Sequence, residues 1–166
     1  MTRVLITVLT ALALAAPARA DFNDGVVALM TGKYAEALQT FVPLAEASNH
    51  AYAQYFLARM YATGQGVEKD PKTAAEWYRK AAEQGVADAQ YRLGALYESG
   101  DGVPGDMEYA YGWYSVAAHL GNAKGQEAFS KAKARLSADE LVQADKLSRE
   151  LIKKYGVVPE STARKQ

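Results

Sequence analysis

The chain contains an internal repeat. Residues 50–85 and residues 86–121 align at an offset of 36 residues, and 16 of the 36 aligned positions are identical. Chance would give only about two or three identities for an ordinary composition. A repeat of this period is typical of a solenoid, in which each unit buries its apolar face only by stacking on its neighbours. The repeat therefore predicts an elongated stack of similar units.

Each copy has the pattern of two amphipathic helices. Apolar and small residues recur at helical spacing in two runs, so that one stripe of each helix can be buried. Gly64 and Gly66 separate the two runs, Asp70 followed by Pro71 is a typical helix start, and Gly85 ends the copy. The predicted buried positions of the first copy are Gln54, Leu57, Ala58, Tyr61, Ala74, Trp77, Tyr78, Ala81 and Ala82.

The segments outside the two copies are interpreted as a leader and as partial units. The chain opens with a basic residue, a largely apolar run of 13 residues and a small-residue cleavage site ending at Ala20, which is the layout of a signal peptide. Ser137 and Glu140 have the spacing of a capping box, which predicts the start of a last helix. The expected divisions are residues 1–20, a signal peptide; 21–49, a degenerate helix pair; 50–85 and 86–121, the two repeats; 122–156, a partial repeat and capping helix; and 157–166, a flexible tail.

Charge and cysteine content narrow the classes of function. Without residues 1–20 the chain has 17 basic and 19 acidic residues, a balance that argues against nucleic-acid binding. The leader's apolar run is shorter than the roughly 20 residues of a membrane-spanning helix, so no stable membrane insertion is expected after cleavage. The chain has no cysteine and would have nothing to oxidise outside the cytoplasm. We expect an exported, periplasmic bacterial protein, cleaved after Ala20.

The shared residues resemble a known repeat. They read A-x-A-Q-x-x-L-(A/G)-x-(M/L)-Y-x-x-G-x-G-V and then D-x-x-x-A-x-x-W-Y-x-x-A-A-x-x-G. This pattern is similar to the Sel-one-like repeat, a relative of the tetratricopeptide repeat. The resemblance implies an all-α fold, a right-handed α/α superhelix of helix pairs that the last helix would cap. It also implies a scaffold or adaptor that binds a protein or peptide along its concave groove, without enzymatic activity and without a cofactor.

Candidate groove residues follow from the tetratricopeptide analogy, in which the first helix of each unit lines the concave side. Tyrosine and arginine are frequent binding hot spots, which singles out Tyr55, Tyr91 and Arg59. Tyr55 and Tyr91 occupy one repeated position, and a residue repeated for architecture is more often a packing residue, so packing is the favoured interpretation of both, with recognition as the alternative. Positions that differ between the copies, such as Arg59 and Ala95, are better candidates for specific recognition. The predicted partner-binding residues are Tyr52, Tyr55, Arg59, Asp88, Tyr91 and Glu98.

Two other functions remain open at this stage. The first is a cell-envelope factor that contacts peptidoglycan or its enzymes. The second is a β-lactam-type hydrolase, because Ser130 and Lys133 spell S-x-x-K. Its companion motifs are missing, and the family members linked to that activity are rich in cysteine. His50 and His119 are the only histidines and do not form a zinc motif, so no metal site is predicted.

The tryptophan–tyrosine pairs of the two copies admit a further interpretation. Trp77 with Tyr78, and Trp113 with Tyr114, resemble an aromatic platform for carbohydrate. Their position beside alanine stripes favours helix packing, because small residues let helices approach while the rings supply buried area.

Overall fold

The fold is all-helical over residues 21–157, the residues that the computed structural model describes. The signal peptide expected at residues 1–20 and most of the tail expected at 157–166 lie outside this range. No helix within the described range is long and apolar enough to cross a membrane. The eight helices of this range, which contains no strand, are α1 (Phe22–Met30), α2 (Tyr34–Glu46), α3 (Ala51–Thr63), α4 (Pro71–Glu83), α5 (Ala87–Ser99), α6 (Met107–His119), α7 (Ala123–Lys133) and α8 (Ala138–Tyr155).

The predicted turns form as the sequence indicates. Gly64 and Gly100 end the first helix of each copy with a φ of 73°, in the left-handed region. Asp70 caps α4 by accepting hydrogen bonds from the backbone N–H groups of Lys72 and Thr73 at 3.0 and 3.1 Å. Asp106 caps α6 in the same way. The helix starts and ends are therefore set by local chemistry that the repeat preserves.

The second glycine of each turn holds neighbouring units together. A Cβ on Gly66 would lie 2.6 Å from Cβ of Tyr34, the first residue of α2, and a Cβ on Gly102 would lie 2.2 Å from the carbonyl oxygen of Pro71, the first residue of α4. The turn of each unit thus sits directly against the helix start of the preceding unit. Any side chain at these two positions would push the units apart.

The repeated glutamines also join successive units. Gln54 is almost fully buried, and its amide donates to the carbonyl of Ala45 at 3.2 Å, near the end of α2. Gln90 donates in the same manner to the carbonyl of Ala82 at 3.0 Å, near the end of α4. The carbonyls at a helix end lack intrahelical partners, and these amides supply one. The glutamine of the pattern is thus an inter-unit bond.

Consecutive helices pack on one another from α1 to α7, which produces a row of helix pairs. The buried side chains form three clusters along this row. One surrounds Phe41 and Leu57, the next Tyr78 and Leu93, and the last Tyr111. Such a strip of core is what the stacked units of a solenoid produce, and the predicted architecture is confirmed.

The tryptophan–tyrosine pairs serve packing, as predicted. Tyr78, Trp113 and Tyr114 are each at most 4% exposed. Trp77 is only partly buried, and the ammonium group of Lys80 lies 3.8 Å from its ring centroid.

The last helix, α8, departs from the regular stacking because it packs mainly on α6. Three of the residues at which α6 differs from its copy α4 contact α8. Gly112 replaces Glu76, and a Cβ at Gly112 would lie 2.9 Å from Cδ1 of Leu151 on α8. Ser115 replaces Arg79, and its hydroxyl accepts a hydrogen bond from Ser148 at 2.7 Å.

Tyr111 completes this docking surface. It replaces Ala75 of the first copy, and its hydroxyl donates to the carboxylate of Asp145 at 2.6 Å. At the far end of α8, the amide of Gln90 donates to the carbonyl of Tyr155 at 3.2 Å. Several differences between the copies therefore fit the surface of α6 to α8, either through a smaller side chain or through a hydrogen bond.

Candidate functional site

The six predicted groove residues all lie on α3 and α5, the first helices of the two copies. We call the solvent-facing side of α3, α5 and α7 the first-helix face.

On α3 an arginine covers two aromatic rings. The guanidinium carbon of Arg59 lies 5.8 Å from the ring centroid of Tyr55 and 5.5 Å from that of Phe56. Both rings are half-buried, and the Tyr55 ring lies 6.0 Å from that of Tyr78 on α4. Tyr52 stands apart from this group, 45% exposed, with its ring 6.5 Å from that of Phe22.

The second copy builds the same stack from a different position. Tyr91 is half-buried and its ring lies 5.9 Å from that of Tyr114 on α6. The guanidinium carbon of Arg92 lies 5.7 Å from the Tyr91 centroid. In the first copy the arginine follows the tyrosine by four residues, and in the second it is the next residue. Each repeated tyrosine thus packs on the helix behind it and presents an arginine on its outer side.

Charged groups converge around the hydroxyl of Tyr55. Its pKa is raised, first by burial and then by the carboxylate of Asp88, while the guanidinium groups of Arg59 and Arg92 act in the opposite direction. Asp88 accepts a hydrogen bond from the side-chain amide of Asn122 at 2.8 Å, which links α5 to the start of α7. Four of these groups belong to α3 and α5, so the two helices share one polar surface.

A pocket of about 280 Å³ lies between α5 and α7. It brings together two of the predicted residues, Tyr91 and Glu98, with Tyr114, Lys124 and Lys131. The hydroxyl of Tyr114 donates to the carboxylate of Glu98 at 2.6 Å, and Arg135 forms an ion pair with the other oxygen. Burial, followed by this carboxylate, raises the pKa of Tyr114. Both oxygens of the Glu98 carboxylate are therefore already bonded to other residues of this chain.

The S-x-x-K serine is in an ordinary helical position. The hydroxyl of Ser130 donates to the carbonyl of Gln126 on its own helix at 3.0 Å. Lys131 pairs with Glu127 at 2.6 Å, which raises the pKa of Lys131 and lowers that of Glu127. Within residues 21–157 no three histidines or carboxylates are grouped so that they could hold a metal ion.

Two residues of this face, Phe56 and Arg92, are absent from the sequence prediction. They occupy equivalent positions of the two copies and differ in type. The same difference between the copies that points to Arg59 and Ala95 also marks Phe56 and Arg92. They were passed over because each is the neighbour of Tyr55 or Tyr91, the tyrosines treated as the anchors.

A second and larger cavity lies between α4, α6 and α8. We call it the outer cleft; its volume is about 610 Å³. Tyr109 is 42% exposed beside it, and the Tyr97 and Tyr109 rings are 5.2 Å apart. The guanidinium of Arg79 donates to the hydroxyl of Tyr97 at 2.9 Å. Glu150 and Tyr155 of α8 complete the wall. The sequence did not reveal this cleft, because it forms only when α8 crosses α6.

Comparison with known proteins identifies the repeated units. The Sel1 repeat model matches residues 51–86 and residues 87–122. A protective antigen of uropathogenic Escherichia coli strains, which displays an SLR fold, is 35% identical with a TM-score of 0.77 over 86% of this chain. A Sel1 repeat protein from Oxalobacter formigenes is 31% identical with a TM-score of 0.63 over 79% of this chain.

The matches differ from this chain in length. It spans 31% of the E. coli protein and 56% of the O. formigenes protein. No curated protein matches the chain significantly. The two structures share its fold.

Proposed function

Because residues 51–86 and 87–122 are two Sel1 repeats, we propose that this chain is an exported scaffold or adaptor that binds a segment of a partner protein on its first-helix face. Sel1 repeats generally form scaffolds for protein–protein contacts rather than catalytic centres. The proposal concerns where this chain binds and in which compartment it works.

One observation carries the proposal, the arginine–tyrosine stack that recurs on α3 and α5. Arg59 lies over Tyr55, and Arg92 lies over Tyr91. The tyrosine is repeated, but the arginine comes from a different position in each copy, so repeat architecture does not account for it. Stacked tyrosine and arginine side chains offer a large, preorganised surface with polar edges, which is typical of binding hot spots.

The test compares two matched pairs of substitutions. Tyr52→Ala with Arg59→Ala removes a half-exposed tyrosine and an arginine from the first-helix face. Tyr109→Ala with Arg79→Ala removes the same residue types, at similar tyrosine exposure, from the outer cleft. We expect only the first pair to abolish partner recovery after photo-crosslinking in cells, with both variants folded by circular dichroism. Equal recovery from both variants would place the interaction elsewhere.

Export is the second part of the proposal. Asp21, the first residue after the expected cleavage site, caps α1, and its side chain and that of Asp24 form a capping box. A chain that starts at Asp21 keeps this cap, which supports cleavage after Ala20. Mass spectrometry of the protein from a periplasmic extract should show Asp21 as the first residue. An intact leader on protein in the cytoplasmic fraction would contradict export.

Contact with peptidoglycan is a second candidate function, and the outer cleft favours it. Aromatic faces beside arginine and carboxylate groups are suited to holding sugar rings, which have apolar faces and hydroxyl edges. Sedimentation with purified sacculi should then recover the protein, and Tyr109→Ala should reduce the recovered fraction. Failure of the folded protein to sediment with sacculi would exclude direct wall binding.

A further inference from the structure

The helices of the first-helix face carry surplus positive charge. α3, α5 and α7 together contain five basic residues and three acidic ones. Of the chain's 19 basic and 19 acidic residues, four basic and one acidic lie outside residues 21–157, which leaves 15 and 18. The three helices are therefore net positive within a segment that is net negative. The charged residues concerned are Arg59, Arg92, Lys124, Lys131 and Lys133, and Asp88, Glu98 and Glu127.

The acidic residues of these helices are engaged within the protein. Glu98 pairs with Arg135 and accepts from Tyr114, and Glu127 pairs with Lys131. Asp88 accepts from Asn122, which satisfies one of its oxygens. Two of the three carboxylates are thus paired with cations other than Arg59 and Arg92, and Asp88 is the one carboxylate of these helices that keeps its charge near the two arginines.

The two arginines form no ion pair with any described residue. The salt bridges within residues 21–157 are Lys33–Glu36, Lys131–Glu127 and Arg135–Glu98. Arg59 and Arg92 instead lie over tyrosine rings. A guanidinium has five N–H donors, so one that lies over a ring and makes a single hydrogen bond to a neighbour keeps others for a carboxylate. Two such donors on one guanidinium can make a bidentate contact.

We propose that the first-helix face binds an acidic segment of a partner protein. Carboxylates of the segment contact Arg59 and Arg92, its apolar side chains lie against Tyr55 and Tyr91, and Lys124 in the α5–α7 pocket extends the contact. This inference rests on the proposed function and adds the chemistry of the partner.

The experiment uses three probes with the isotope-labelled mature chain. The first is a short peptide rich in Glu and Leu, the second is its isosteric copy with Gln for every Glu, and the third is a single-stranded oligothymidylate of the same net charge. Amide shifts in α3 and α5 are followed during each titration. We expect the Glu peptide to bind about tenfold or more tightly than the Gln copy, as one or two charge-assisted hydrogen bonds would give.

Variants locate the effect. Arg59→Gln with Arg92→Gln should weaken Glu-peptide binding by about tenfold. Arg59→Lys with Arg92→Lys should restore only part of it, because lysine returns the charge but not the planar guanidinium that makes a bidentate contact. Arg79→Gln in the outer cleft, which removes an arginine hydrogen-bonded to a tyrosine, should change nothing. Equal binding of both peptides, tighter binding of the oligothymidylate, or shifts confined to the outer cleft would overturn the inference.

Failure of this inference is distinguishable from failure of the proposed function. Photo-crosslinking in cells tests whether any protein contacts the first-helix face, whereas the peptide titrations test only whether binding depends on the negative charge of the peptide. If the captured partner is cross-linked through a basic or uncharged segment, the proposal of an acidic segment is wrong and the proposed scaffold function stands.

Discussion

Gly94 provides a sharp test of how closely the second repeat is packed. It lies in the middle of α5, where helix propensity alone predicts that Gly94→Ala stabilises the fold by about 1 kcal/mol. A Cβ at this position would lie 2.7 Å from both Cδ1 and Cε1 of Tyr114 and 3.2 Å from the carbonyl oxygen of Ala110. The two effects have opposite signs, so the measured sign decides between them.

Packing should prevail at Gly94 because the ring of Tyr114 has little room to move. Tyr114 is 2% exposed, and its hydroxyl is held by the carboxylate of Glu98 at 2.6 Å. Overpacking of a core commonly costs about 1–3 kcal/mol, and a displaced ring would also weaken a hydrogen bond to a charged group worth about 1.5–3 kcal/mol. After the helix gain is subtracted, we expect Gly94→Ala to destabilise the fold by about 1–2 kcal/mol.

Urea denaturation of the mature chain, followed by circular dichroism, measures this difference. Two further variants control for the mechanism. Ala58→Gly, at the equivalent position of the first repeat, should also destabilise, since it loses helix propensity and leaves a small gap. In a Tyr114→Val background neither a δ-carbon nor an ε-carbon is present to clash, so Gly94→Ala should now stabilise. Gly94→Ala that is as stable as the parent chain, or more so, would refute the close contact.

Three other measurements test the remaining structural arguments. Gln54→Leu, which removes the amide bonded to Ala45, should destabilise the fold by about 1–3 kcal/mol in urea denaturation. Gln126→Leu, at the equivalent but exposed position, should have little effect, and similar losses of stability in both variants would contradict the inter-unit role. Burial raises the pKa of Tyr78 to about 12 from its ordinary 10, so the stability that its neutral hydroxyl contributes is complete below about pH 10 and is lost as the pH rises through about 12. Tyr78→Phe should therefore lose less stability than the parent chain between about pH 9 and about pH 11.5. Equal losses of stability in the two proteins would count against this assignment. Gly112→Glu introduces, beneath α8, the residue found at the equivalent position of the first copy. Amide hydrogen exchange in α8 should then be faster by about tenfold or more, while exchange in α3 stays unchanged. Unaltered exchange in α8 would mean that the glycine is not needed for docking.

The sequence predicted most of the repeat framework correctly. The shared glycines, aspartates and alanines act over a few residues, so their role as caps, turns and buried stripes follows from spacing alone. The helix starts at Asp70 and Ser137 were predicted and are confirmed, and Asp106, the repeat of Asp70, caps α6. The shared Gln54 and Gln90 were assigned to the buried stripe correctly, but their bonds to the preceding helix are visible only in the structure.

The differences between the copies were harder to interpret. They were expected to mark recognition along the first helices, and Arg59 is partly exposed there and lies over the rings of Tyr55 and Phe56. Glu98 instead closes an internal network with Tyr114 and Arg135, and Gly112 and Ser115 accommodate α8. A difference between copies has the same appearance in the sequence whether it serves a ligand or a neighbouring helix.

The sequence by itself determined the repeat, the all-helical fold and the limits of its helices, because these depend on periodicity and on capping within a few residues. Only the tertiary structure decided where α8 packs and that two arginines from non-equivalent positions stack on equivalent tyrosines. It also showed that a cleft opens between α4, α6 and α8. These features depend on contacts between side chains far apart in the chain, and sequence spacing carries no information about which of two helix faces a distant segment will cover. The repeated residues therefore specify the scaffold, and the positions at which the repeats differ specify how α8 docks and which side chains surround Tyr55 and Tyr91.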